Sequence, residues 1–153
     1  MEEMYTLESD GNVTLLTFKR NLIEDFELPK LEDIPELVID FDKVRVINSM
    51  GIRKLIMWFE ECKDLSKIRA VHCRRVFVDQ MNMVEGLIPS NMVIESFYVP
   101  YYCEAKDDSK DILFTQGKEY DDQGLHLPSV TNESGDAMEI DVIESRYFRF
   151  LGE

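Results

Sequence analysis

Between residues 36 and 61 the chain changes its hydrophobic period once, and that change constrains the fold more than any other stretch. The segment reads ELVIDFDKVRVINSMGIRKLIMWFEE. It opens on the apolar run Leu37–Val38–Ile39, breaks at Asp40–Phe41–Asp42, passes through VRVI and stalls at Asn48–Ser49–Met50–Gly51. Beyond Gly51 the residues Ile52, Leu55, Ile56 and Phe59 recur at the i, i+3, i+4, i+7 spacing of one helical face. A strand, a loop and an amphipathic helix follow directly. The run Leu37–Phe41 is β-branched and apolar enough to be a central strand covered on both faces, as parallel strands usually are. The helix starts beside Asn48 and Ser49, where unpaired backbone N–H groups and the helix dipole favour an anion. Ser49 is therefore a candidate phosphate acceptor. The plainer role for Asn48 or Ser49 is to cap the helix, an interaction that contributes about 1 kcal/mol.

Around this core the order of elements is legible. Tyr5–Thr6–Leu7 and Val13–Phe18 are β-type runs joined by Ser9–Asp10–Gly11–Asn12, a composition suited to a hairpin. Leu22–Ile23–Phe26 leaves room for about two helical turns before Pro29. Downstream come a strand over Ile68–Cys73, a helix from Arg74–Arg75 to a stop at Gly86, and a strand from Met92 running on through Phe97 and Val99. The pattern predicts an α/β fold, a mixed sheet with helices packed on it, over residues 1–98. Residues 99–153 form a small β-rich extension: strands at Asp111–Gln116 and Met138–Val142, polar turns at Glu119–Gly124 and Thr131–Asp136, and a short terminal helix over Glu144–Leu151.

Composition narrows the function classes. A formal charge of −14 over 153 residues repels nucleic-acid backbones and anionic lipid surfaces, so neither nucleic acid nor membrane is an expected partner. No apolar run approaches the roughly 20 residues of a membrane span, and MEEMYTLESDG lacks the basic start and apolar stretch of a signal peptide. Cys62, Cys73 and Cys103 are widely spaced and odd in number, which fits a reducing, cytoplasmic setting.

Little in the sequence supports catalysis. His72 and Cys73 are adjacent on a strand and so face opposite sides, which prevents a Cys–His dyad. His126 is isolated, the carboxylate runs read as solvated faces, and no phosphate loop, GxSxG elbow or HExxH motif is present. The chain is not expected to be an enzyme, and no metal or cofactor is implied.

LVIDF, then INSMG, then IRKLIMWFEE resembles the signature of the STAS domain, the fold of bacterial anti-anti-sigma factors and of transporter and stressosome regulators. That family shows an "LVLDL" strand, a short loop, I-D-S-S-G and an amphipathic helix. In its phosphorylated members the serine after the Asp accepts phosphate from a partner kinase, and the matching residue is Ser49. Asn48 stands at the Asp position and Met50 at the second hydroxyl position. The extension resembles a zinc ribbon found behind some bacterial STAS domains, through PYYC, MEID and YFRFL. Lys106 replaces the second ligand of its first knuckle, and Pro128–Asp136 supplies no Cys or His for the other.

The resemblance implies a cytoplasmic regulatory protein that binds a protein partner, such as an anti-sigma-factor-like serine kinase. Ser49 would be the phosphoacceptor, and Asp42, Arg45, Asn48, Met50, Gly51 and Arg53 the surrounding partner contacts. Asn48 and Met50 favour an alternative, a constitutive STAS scaffold or complex subunit without a switch. A third reading is a small-ligand-binding domain with a pocket between sheet and tail.

Overall fold

In a computed structural model the described residues are 3–23, 26–31 and 33–152. The described residues form a mixed α/β fold of two larger sheets and one two-stranded hairpin. β1 (Tyr5–Ser9) and β2 (Val13–Phe18) form an antiparallel hairpin, closed by Asp10, whose carboxylate accepts the Asn12 and Val13 N–H groups at 2.9 and 2.8 Å. β3 (Glu36–Asp40), α1 (Ser49–Glu61), β4 (Lys67–Val71), α2 (Arg75–Met83) and β5 (Met92–Ile94) follow. β2 to β5 run parallel in chain order, giving a five-stranded sheet β1-β2-β3-β4-β5.

That sequential order decides which face is covered. Successive right-handed crossovers place their connections on one side of the sheet. Leu16, Phe18, Leu37, Ile39, Ile68 and Ala70 on that side are buried, with Leu55 and Phe59 of α1 and Phe77 of α2 in the same core. The alternate positions Leu15, Glu36, Arg69 and Val93 are only half-buried. The helices thus cover one face of the central strand, while on the other face Val38 is still buried, at 9% exposure. On the open face Arg69 bridges Glu36 and Glu95, each at 3.2 Å, tying β3 and β4 to the residue that follows β5.

The expected helix at Leu22–Phe26 lies partly on residues 24 and 25, outside the described set. Its described members are not helical: Leu22 instead makes a parallel bridge to Ile47. The strand expected from Met92 through Val99 is two strands. β5 pairs with β4, while β6 (Ser96–Cys103) pairs with β7 (Asp108–Thr115) and β11 (Ala137–Ile140) in a second sheet, β10-β11-β6-β7, with β10 at Val130–Thr131. The change of sheet falls at Glu95, so the expected join at residues 98 and 99 lies inside β6.

The extension packs on α2. Phe97, fully buried, is ringed by Phe114, Tyr120, Tyr147, Phe148 and Phe150 with centroids 5.0–6.4 Å away. The last two of these follow from α3 (Glu144–Tyr147) and the short 3-10 turn Arg149–Leu151. Asn82 on α2 hooks this segment twice, donating to the Tyr147 carbonyl and accepting from the Phe150 N–H, both at 2.8 Å. The polar turn expected at Glu119–Gly124 is a small hairpin of β8 (Tyr120–Asp121) and β9 (Gly124–Leu125). At the 132–136 turn, the Asn132 carboxamide accepts the N–H groups of Ser134 and Asp136 at 3.0 and 2.9 Å.

Candidate functional site

The chain leaves β3 at the C-terminal end of the parallel strands and takes a pinned loop into α1. Asn21 Oδ1 accepts the N–H groups of Arg45 and Val46 at 2.8 and 3.0 Å. Leu22 N–H donates to the Val46 carbonyl (3.0 Å), and the Leu22 carbonyl accepts from Asn48 N–H (3.2 Å). Asn48, in extended conformation, is the N-cap. Its Oδ1 accepts the Gly51 N–H at 2.9 Å, while its Nδ2 donates to the Ile23 carbonyl at 2.7 Å. The asparagine that replaces the signature's aspartate therefore holds both the helix start and the neighbouring Leu22–Ile23 segment.

Capping by Asn48 leaves Ser49 without that task. Ser49 is the first residue of α1 and is exposed. Met50 and Val46 beside it are also open, at 46% and 48% exposure. Arg45 and Arg53 are exposed, and Arg53 stands one turn further along α1 from Ser49. Gly51 is buried: a Cβ there would lie 2.1 Å from the Leu22 carbonyl oxygen, so only glycine allows the Leu22 segment to approach this closely. Along the outer side of α1, Met50, Met57 and Trp58 line a groove of about 200 Å³ with Phe26 and Leu28 opposite, and Arg53 and Lys54 at its edge. Trp58 Nε1 donates to the Pro29 carbonyl at 2.7 Å, which fixes the opposite wall. The extension, docked on α2, leaves Ser49 uncovered.

Asp42 faces away from this surface into a second cluster. Its Oδ1 accepts from Arg74 Nη2 and from the Tyr98 hydroxyl, both at 2.9 Å, and Arg74 Nε donates to the Asp42 carbonyl at 2.8 Å. The Arg74 guanidinium lies over the Tyr98 ring, 4.0 Å from its centre, and reaches Asp111 at 3.7 Å. Burial, then the Asp42 carboxylate, raises the Tyr98 hydroxyl above its ordinary pKa. Next to this, His72 Nδ1 lies 3.1 Å from Asp40 Oδ1. The cluster joins the end of β3, the start of α2 and the second sheet. Its charges pair with each other, which makes it a brace for the loop. Sequence reasoning missed it. The available signal was Asp40–Phe41–Asp42 at one strand end and His72–Cys73–Arg74 at the end of the adjacent parallel strand.

His72 and Cys73 are not strand neighbours as expected. β4 stops at Val71, and His72 takes a left-handed conformation with φ 53°. Cys73 is fully buried, and burial pushes its thiol pKa up. His126 Nε2 sits 3.0 Å from Asp121 on the β8–β9 hairpin. Cys103 is buried at the end of β6, and no group of three or more His, Cys, Asp or Glu side chains among the described residues is placed to hold a metal. No described helix is long and apolar enough to cross a membrane. Comparison of the chain with protein-family models, curated proteins and solved structures returns no match.

Proposed function

We propose that the chain is a STAS-like regulatory protein, not an enzyme, that works by binding a protein partner through the start of α1. Ser49 is its phosphate acceptor and an anti-sigma-factor-like serine kinase its kind of partner. One observation carries this reading: Asn48 does the capping, so the exposed Ser49 hydroxyl is spare at a helix N-terminus. The strand–helix–strand order downstream of the INSMG loop also supports this reading.

Phosphate on Ser49 would add a charge of about −1.5 to −2 where the helix dipole favours an anion. Arg53, four residues on, is placed to pair with it. Nothing in α1 would have to unfold. The change falls on the surface, between exposed Val46 and Met50, so a docked partner meets new charge next to apolar contacts. This is a switch by repulsion.

The test is incubation with the cognate kinase and ATP followed by peptide mass spectrometry, with partner affinity measured for the parent chain and for Ser49→Asp. Phosphate on Ser49, and partner binding weakened about tenfold or more by Ser49→Asp, are expected. Absence of phosphate on Ser49 together with parental affinity in Ser49→Asp would remove the switch. The constitutive scaffold would then stand, and the groove at Met50, Met57 and Trp58 is what favours it.

A further inference from the structure

Among the described residues the first sheet ends at β5, and the edge of β5 away from β4 has no strand beside it. The ladder to β4 shows which groups point outward. Asn91 O accepts from Ile68 N–H and Glu95 N–H donates to Ala70 O, both at 2.8 Å, so alternate residues 91, 93 and 95 face β4. The backbone groups of Met92 and Ile94 therefore point to the edge. Met92 N–H is used by the Pro89 carbonyl at 3.0 Å, and the Ile94 carbonyl accepts the buried Tyr120 hydroxyl. The Met92 carbonyl and the Ile94 N–H are left, one acceptor and one donor two residues apart.

Met92, Val93 and Ile94 line a cleft between the first sheet and the extension. Its volume is about 510 Å³. The β8–β9 hairpin forms one wall with Leu125, and Phe150 and Leu151 form the other. Asp121 and Asp122 stand at its rim. Asp121 shares its carboxylate with His126 and the Gln123 N–H, and Asp122 is exposed.

We infer that this cleft binds an extended peptide carrying basic and apolar side chains in alternation, which pairs in parallel with the edge of β5 through the one residue opposite Val93. A ligand residue opposite Val93 would donate its N–H to the Met92 carbonyl and accept the Ile94 N–H through its own carbonyl. That is the bonding pattern of a parallel ladder. Its apolar neighbours enter the cleft beside Leu125, Phe150 and Leu151, and a lysine or arginine meets Asp121 and Asp122. The acid rim excludes phosphate-bearing ligands such as nucleotides by repulsion. The inference does not depend on Ser49.

The probe is a capped peptide of alternating valine and lysine, titrated into the ¹⁵N-labelled full chain and followed by amide resonances. Saturable shifts centred on the Ile94 amide, with Val93 and Gly124, are expected. Methylating the peptide nitrogen that faces Met92 should weaken binding about tenfold, since it deletes one main-chain bond and adds a clash. The exposed double change Asp121→Asn with Asp122→Asn should cost about as much, and a valine–glutamate peptide should not bind. The proposal is overturned if the lysine peptide does not perturb Ile94 at millimolar concentration. It is equally overturned if the N-methylated peptide binds as well as its parent, or if the glutamate peptide competes equally.

Discussion

Replacing Gly51 by alanine probes the packing on which the exposed serine depends. In an unobstructed helix interior the exchange stabilises by about 1 kcal/mol. Here the new Cβ would lie 2.1 Å from the Leu22 carbonyl oxygen, 3.0 Å from Leu22 Cβ and 3.1 Å from Ile47 Cγ2. The nearest atom is backbone, held by the Leu22–Val46 and Asn48–Leu22 hydrogen bonds of 3.0 and 3.2 Å. Relief requires the Leu22 segment to move off the loop and give up that bridge. Overpacking of this kind costs about 1–3 kcal/mol, and each lost backbone bond about 1 kcal/mol. With the propensity gain set against these, the net loss is about 2–4 kcal/mol, or a fall in Tm of roughly 5–15 °C for a chain of this size. Urea unfolding followed by the fluorescence of Trp58, the only tryptophan and a buried residue of α1, measures it. The midpoint should fall with little change in slope. A midpoint equal to or above that of the parent would refute the reasoning, because it would mean that the loop yields without cost.

Three further outcomes follow from the geometry. Asn82→Ala removes both hooks between α2 and the C-terminal segment; it should cost about 2 kcal/mol and speed amide exchange at Phe150 before that of α1. Burial pushes the Cys62 thiol up to about 11 and raises that of Cys73, and Cys103 is buried. Iodoacetamide at mildly alkaline pH should leave Cys62 and Cys73 unmodified in the native chain and modify all three cysteines in urea, counted by intact mass. Burial also raises the Asp79 carboxyl, against the Arg75 guanidinium that lowers it. The folded chain then keeps that proton to higher pH than the unfolded chain, so stability falls as pH rises through the window above the unfolded value of about 3.9. Asp79→Asn should raise Tm near neutral pH, with the gain vanishing below that unfolded value, as read by calorimetry.

The sequence showed local structure well and sidedness poorly. The period over Ile52, Leu55 and Phe59 placed α1, and the Asp10 turn placed the first hairpin, because both signals sit within a few residues. That the helices cover only one face of the sheet was invisible. Leu37–Val38–Ile39 is equally apolar whether one or two layers cover it, and the answer lies in the order of the strands. The run Met92–Val99 looked like one strand because both halves are apolar. Its division at Glu95 depends on bonds to Ala70 and Gln116, which are distant in sequence. Helical spacing at Leu22 was overridden by the bridge to Ile47, a tertiary contact. At the candidate site, Asn48 and Ser49 were legible as a pair, but the choice of cap was not. Asp42 was expected at the docking surface. Its partners Arg74 and Tyr98 stand 32 and 56 positions away, so no local pattern announced the brace.

The two sheets differ in how the chain closes them. Each strand of the first pairs with the one before it, so that sheet can assemble as residues 5–94 emerge from synthesis. The second waits: β11 returns to β6 from 35 or more positions further on, and Asn82 meets its partners only when residues 147–150 exist. Until then Phe97 has only Phe114 and Tyr120 of its ring, and Asn82 on α2 lacks its partners. A nascent chain exposed only as far as a point between residues 105 and 135 would hold out a nearly complete first sheet with an aromatic strand beside it. That intermediate, rather than the finished protein, is where a chaperone has most to do and where slow translation carries the greatest risk of aggregation.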